Sequence, residues 1–179
     1  MRARVLVSLL LALLTLVGPA LALEPGRDGW FHTGDAVRQK KVVFANFDVY
    51  AIGHEMKSLP SAKSKQAVID ADVTKRFVWQ MRREVDSEKI RNALTEAYGM
   101  NGYRDQGKIG QFLGVFRGDL KEKQFVTITY DADKKSTTLS VQGGGSATVA
   151  GVDFMKATWS IWFGKIDQPS MGDQLIAKL

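Results

Sequence analysis

The stretch Lys41-Val42-Val43-Phe44-Ala45-Asn46-Phe47-Asp48-Val49-Tyr50-Ala51-Ile52 decides how this chain is read. Its odd positions Val43, Ala45, Phe47, Val49 and Ala51 are all apolar, the period-2 pattern of a strand facing a core. Its even positions mix apolar bodies with polar heads: Val42, Phe44, Asn46, Asp48, Tyr50 and Ile52. That second face is either a partly solvated outer surface or the floor of a ligand cleft, and alternation alone does not choose between them.

Outward from that strand the periodicity changes element by element. Ser61–Ala71 has helical spacing, and Lys75–Arg83 alternates again with Phe77, Trp79 and Met81 on one face. Asp86–Tyr98 places Ile90, Ala93, Leu94, Ala97 and Tyr98 on one helical stripe, with Asp86 as its N-cap and Gly99 and Gly102 at its end. Ile109–Phe116 is a second apolar helical segment. Phe125–Tyr130 and Thr137–Val141 are strands joined across an Asp- and Lys-rich turn, and Gly143-Gly144-Gly145 turns into a short strand at Ser146–Ala150. Val152–Phe163 is a closing helix and Met171–Lys178 a last one. Trp79, Trp159 and Trp162 belong to apolar stripes and are expected in the core. Strand runs and helix runs without regular βαβ alternation predict an α+β fold with a mainly antiparallel sheet.

Composition excludes several chemistries. The 179 residues contain no cysteine and two histidines, which removes disulfides, thiolate metal sites, cysteine nucleophiles and any three-histidine zinc site. His54-Glu55-Met56-Lys57-Ser58 begins like a zinc-protease motif, but Ser58 stands where the second imidazole must be. Gly144-Gly145-Ser146-Ala147-Thr148 lacks the final glycine of a nucleophile elbow. His32 and His54 read as surface or strand-end residues rather than a metal pair. We therefore expect no metal and no cofactor, and assign no catalytic residue. The net charge of +6 comes from basic residues interleaved with acids, a solvated surface rather than a stripe tracking nucleic-acid phosphates.

Residues 1–22 read as a signal peptide. Arg2 and Arg4 precede an apolar run over residues 5–17, and Pro19 precedes the A-x-A pattern Ala20-Leu21-Ala22. The run is short of the roughly 20 residues a membrane span requires. The expected mature unit is residues 23–179, one domain exported to the periplasm or cell envelope, with no stable membrane span after cleavage.

The order of several further motifs is informative. Gly34-Asp35-Ala36-Val37-Arg38 precedes Phe47-Asp48-Val49-Tyr50-Ala51-Ile52-Gly53. Val85-Asp86-Ser87-Glu88-Lys89-Ile90 and Phe125–Tyr130 follow, and then Gly151-Val152-Asp153-Phe154 leads to Ser160-Ile161-Trp162-Phe163-Gly164-Lys165. In that order the motifs resemble the chalcone isomerase-like family, and look most like its exported bacterial branch. The resemblance implies an open-faced β-sandwich: a large antiparallel sheet with helices on one side and a ligand cleft between them. In the family's plant enzymes a phenolate adds to an α,β-unsaturated ketone, with an arginine steering the phenolate and hydroxyl groups polarising the ketone. In its fatty-acid-binding branch the same arginine and a strand tyrosine hold a carboxylate.

Carried over residue by residue, the arginine falls on Arg38 and the strand position on Tyr50, a tyrosine as in the fatty-acid-binding pattern. The enzymes' tyrosine falls near Asp86, their asparagine on Ala93, and their later hydroxyl residue on Ile161. The resemblance thus implies a binding protein for a small amphiphilic carboxylate such as a fatty acid, with Arg38, Tyr50, Asp48, Phe44 and Ile161 as its ligand-binding residues. Alternatives are an intramolecular lyase or isomerase with a rearranged site, and an envelope interaction module whose pocket is vestigial.

Overall fold

In the computed structural model, which describes residues 23–179, six strands form one sheet in the order β1-β2-β3-β4-β5-β6, each antiparallel to its neighbours. They are β1 (Phe31–Val42), β2 (Ala45–Met56), β3 (Lys75–Met81), β4 (Phe125–Asp131), β5 (Ser136–Val141) and β6 (Ser146–Ala150). The five helices are α1 (Lys65–Asp70), α2 (Ser87–Met100), α3 (Gln106–Leu113), α4 (Val152–Phe163) and α5 (Ser170–Leu175). Helix α4 lies at the centre of the helical layer against α1, α2 and α5, while α5 closes over β1 and α3 over β6. This is the expected α+β architecture, a large antiparallel sheet with helices. The proposed leader at residues 1–22 lies outside the described residues. Among the described residues no helix is long and apolar enough to cross a membrane.

Local chemistry explains most element boundaries. Asp86 caps α2, its carboxylate accepting from the amides of Glu88 and Lys89 at 2.8 and 3.1 Å, and Ile90, Leu94, Ala97 and Tyr98 form the buried stripe. Asp105 caps α3, so that helix begins three residues before the expected Ile109. The last helix is shorter than its sequence pattern, spanning Ser170–Leu175. Trp79, Trp159 and Trp162 are all buried, as their apolar stripes predict.

The deciding stretch departs from its reading. Lys41–Ile52 is not one strand: the chain reverses at Val43-Phe44, and β1 pairs with β2 from Val42↔Ala45 back to Phe31↔Met56. Strand β1 escapes periodicity because a bulge at Thr33 interrupts its alternation; a second bulge at Val49 does the same to β2. The core face is consequently the even one from Tyr50 on, with Tyr50, Ile52, His54 and Met56 buried, whereas Val49 and Ala51 are only half-buried. The reversal itself defies turn chemistry. A two-residue hairpin turn favours Asn or Gly, yet here the β-branched Val43 takes φ 52. That conformation costs roughly 1–3 kcal/mol.

His54 is also not where its sequence context suggested. It is fully buried, and its tautomer follows from its neighbours. An indole N–H can only donate, so Trp159 Nε1, at 2.9 Å, makes His54 Nε2 an acceptor. The proton therefore sits on Nδ1 and goes to Thr33 Oγ1 at 2.6 Å, whose own hydroxyl donates to the Leu175 carbonyl at 2.7 Å. One relay thus ties α4, β2, the β1 bulge and the end of α5. Burial holds the imidazole well below its ordinary pKa, with Lys75 adding charge repulsion. Lys75 is buried too. Its ammonium caps α1 through the carbonyls of Val68, Ile69 and Ala71, and burial pushes its pKa down to about 7.

Two stability predictions follow from this frame. A Cβ at Gly34 would lie 2.1 Å from the Gln174 carbonyl oxygen and 2.9 Å from that of Leu175, both backbone atoms of α5. Gly34→Ala should lower unfolding stability by about 1–3 kcal/mol, read as a lower urea midpoint at unchanged m-value. His54 stays neutral in the fold but takes a proton near pH 6.5 in the unfolded chain, so its contribution is complete above that pH and is lost as pH falls. Stability should drop by up to about 1.4 kcal/mol per pH unit below 6.5 on its account. His54→Leu should flatten that slope in urea titrations between roughly pH 6.5 and 5. An unchanged slope would show that other groups cause it.

Candidate functional site

Arg38 and Tyr50 are direct partners across the β1–β2 ladder, beside the Val49 bulge. The bulge separates side chains that even spacing would align. Tyr50 points to the helical layer, whereas Asp48, paired with Gln39, lies on the open face and accepts from Gln39 Nε2 at 2.7 Å. Tyr50 stacks on Trp79 of β3, with ring centroids 4.6 Å apart and planes 8° from parallel. Its phenol oxygen accepts from Trp162 Nε1 of α4 at 3.1 Å, so its own O–H is the donor left to give. Burial raises the phenol's pKa, only partly offset by the Trp162 hydrogen bond and the Arg38 charge; the group is a neutral hydroxyl at physiological pH.

Arg38 faces a carboxylate that its own chain supplies. Its Nη2 donates to Asp167 Oδ2 at 3.0 Å, and its Nη1 lies 2.6 Å from Asp167 Oδ1. Both terminal nitrogens of the guanidinium thus face the Asp167 carboxylate. The guanidinium holds the Asp167 carboxyl below its ordinary pKa. Gln168 fixes this segment, residues 164–169, against the edge strand. Its amide donates to the Val37 carbonyl and accepts from the Gln39 amide, both at 2.9 Å, so it brackets Arg38 along β1.

One buried donor on a neighbouring ring does lack a partner. Trp79 Nε1 is buried without an acceptor, on the ring that stacks against Tyr50. Buried N–H groups are nearly always paired, because leaving one unpaired costs about 1–3 kcal/mol. The Arg38 guanidinium, the Tyr50 hydroxyl and the unpaired indole N–H on the ring stacked against Tyr50 are donors suited to an acceptor-rich group such as a carboxylate. Around it the space between sheet and helices is packed with aromatic rings: Phe77 lies 4.6 Å and Trp79 5.3 Å from the Trp162 ring.

Of the other expected ligand residues, Ile161 is buried on α4, the same helix as Trp162. Phe44 is fully exposed at the tip of the β1–β2 hairpin, apart from Arg38 and Tyr50. Asp48 is turned to the opposite face. Sequence reasoning missed Asp167, Gln168 and Trp162 as neighbours of the site. Gly164-Lys165-Ile166-Asp167-Gln168-Pro169 carries no periodicity that could announce them. A concavity of about 1040 Å³ on the open face over Ala51, Gly53, Arg76 and Gln80 reaches Val37, Gln39 and Gln168, the residues bracketing Arg38; another of about 640 Å³ lies between the end of α3 and the Gly143–Gly145 turn. Among the described residues no three His, Asp or Glu side chains converge as a metal site would need.

Comparison with known proteins places this geometry. The sequence model of a family described as chalcone isomerase-like matches residues 32–173. No curated protein matches the chain. Among solved structures, a fatty-acid binding protein of Arabidopsis thaliana superimposes with a TM-score of 0.68 at 16% identity, over 86% of this chain and 89% of that one. At that identity the likeness is one of fold. The family match spans the β1 edge carrying Arg38, the Tyr50 strand, α4 and the segment carrying Asp167, and the chain belongs to the chalcone isomerase-like family.

Proposed function

We propose that this protein binds a small amphiphilic carboxylate, such as a fatty acid, without turning it over, and that it does so as an exported, bacterial-type member of its family acting in the cell envelope. The observation that carries the reading is the partly buried Arg38 guanidinium, paired with Tyr50 across the ladder and already clasping a carboxylate, that of Asp167, through both terminal nitrogens. A carboxylate presents four lone-pair sites, and a guanidinium can take two of them in parallel. Asp167 stands in for that carboxylate from within the chain. Ligand entry then means that Asp167 gives up the guanidinium and the acyl chain parts the aromatic layer at Tyr50, Trp79 and Trp162. The fatty-acid binding protein with which the chain shares its fold supports the same ligand class.

Turnover of the ring-closing kind has less behind it. The family enzymes' polar positions fall here on Asp86, Ala93 and Ile161. The Asp86 carboxylate is already committed to the α2 amides, and Ala93 and Ile161 have no hydroxyl or amide side chain. A second reading rests on the aromatic packing itself: a gap filled by Tyr50, Phe77, Trp79 and Trp162 fits an interaction module whose pocket is vestigial.

Titration with palmitate by calorimetry separates these readings. Wild type should bind, Arg38→Ala should bind about 10- to 100-fold more weakly, and Asp167→Asn should bind about tenfold more tightly because its competing charge is gone. Equal affinity for wild type and Arg38→Ala would sink the carboxylate clamp. Failure of both wild type and Asp167→Asn to take up palmitate would favour the filled-gap reading.

A further inference from the structure

The β1–β2 hairpin outruns the rest of the sheet. Its last backbone bond to the chain after β3 is Arg82 N to the Val49 carbonyl, and beyond it the pairs Gln39↔Asp48, Lys40↔Phe47, Lys41↔Asn46 and Val42↔Ala45 continue with no third strand. Four residues of strand carry the tip roughly 13 Å past that bond. At the tip, Val43 is 74% and Phe44 100% exposed. Turn chemistry does not call for them, since the φ 52 of Val43 suits Asn or Gly. Core packing does not call for them either, since neither belongs to the buried cluster.

Cations surround this apolar point. Lys40 and Lys41 are exposed on the hairpin, and Arg82 and Arg83 are exposed beside it, Arg83 lying 4.7 Å over the Phe47 ring. Of the acids nearby, Glu84 pairs with Lys121 and Asp167 with Arg38, while Asp48 accepts from the neutral Gln39 amide and keeps its charge, so the cations remain in excess. A projecting apolar tip above a collar of four positive charges has the profile of a surface anchor. Its apolar side chains enter the acyl region while the cations stop at the phosphates.

We infer that the Val43-Phe44 hairpin docks this protein onto the surface of an anionic phospholipid bilayer. The tip is convex, so a fluid surface can close around it without a preformed pocket, and the charge is complementary to lipid phosphate. The association is interfacial. It stands whether or not Arg38 holds a carboxylate.

The absence of cysteine makes the test direct. Residues 23–179, which hold every strand and helix described, are prepared with Phe44→Cys carrying a polarity-sensitive nitrobenzoxadiazole label. They are mixed with phosphatidylcholine vesicles made with and without phosphatidylglycerol. The expected result is a blue-shifted emission and co-sedimentation with the anionic vesicles only, while the same label at Glu96→Cys on α2 stays in water. Without a label, Lys40→Glu with Lys41→Glu, and separately Val43→Gly with Phe44→Asn, should each weaken vesicle binding roughly tenfold or more. The second pair installs a favourable turn, so it should keep or raise the melting temperature, and its loss of binding cannot be unfolding. No shift on anionic vesicles, an equal shift on phosphatidylcholine alone, or a shift on raising protein concentration without lipid would each overturn the proposal, the last by showing that the tip meets a second copy.

Discussion

Two indole N–H groups of α4 hold the helical layer on the sheet. Trp159 donates to His54 and Trp162 to Tyr50, both acceptors on the same face of β2. Large rings bring much apolar area into a core, but each indole carries a donor that is costly to leave without a partner there. Because both partners sit on one strand, four residues apart, the helix cannot slide along the sheet without orphaning a donor. The rest of the layer follows. His54 passes the constraint to Thr33 and the end of α5, and Tyr50 passes it to Trp79 and the Arg38 edge.

The same constraint sets the character of the candidate site. Tyr50 serves the core as a ring and the site as a hydroxyl, and Trp162 Nε1 fixes where that hydroxyl sits. Arg38 reaches this point from the sheet edge, where Gln168 pairs with the strand on either side of it and so brings Asp167 onto the guanidinium. Structural packing and the Arg38–Asp167 ion pair therefore share the same few residues. An acyl ligand here would compete with the protein's own aromatic contacts as well as with Asp167, which makes occupancy a question of a small difference between two packed states.

Much of the architecture was legible as periodicity. Helix α2 could be read from its capping Asp86 and its stripe from Ile90 to Tyr98, and α4 from its run of apolar residues after Gly151. The β4–β5 hairpin followed from alternation on either side of an Asp- and Lys-rich turn. The reading failed at β1 and β2 for two physical reasons. Each bulge adds a residue that reverses inside and outside, so alternation counted across Thr33 or Val49 assigns the wrong face. A turn built from Val43 and Phe44 carried no turn signal, which fused the end of one strand to the start of the next.

The residues themselves determined that the chain folds as α+β around an aromatic core and that cysteine and three-histidine chemistry are absent, because composition and period are local properties of the chain; Arg38 and Tyr50 were singled out by the family resemblance that the motif order carries. Only the tertiary structure decided that Tyr50 faces inward while Asp48 faces out, that His54 is a buried neutral relay, that Asp167 from a segment over a hundred residues away occupies Arg38, and that Phe44 stands in solvent. Each of these depends on register, and register is settled by which buried donors find acceptors across the whole sheet, a condition no single stretch of sequence contains.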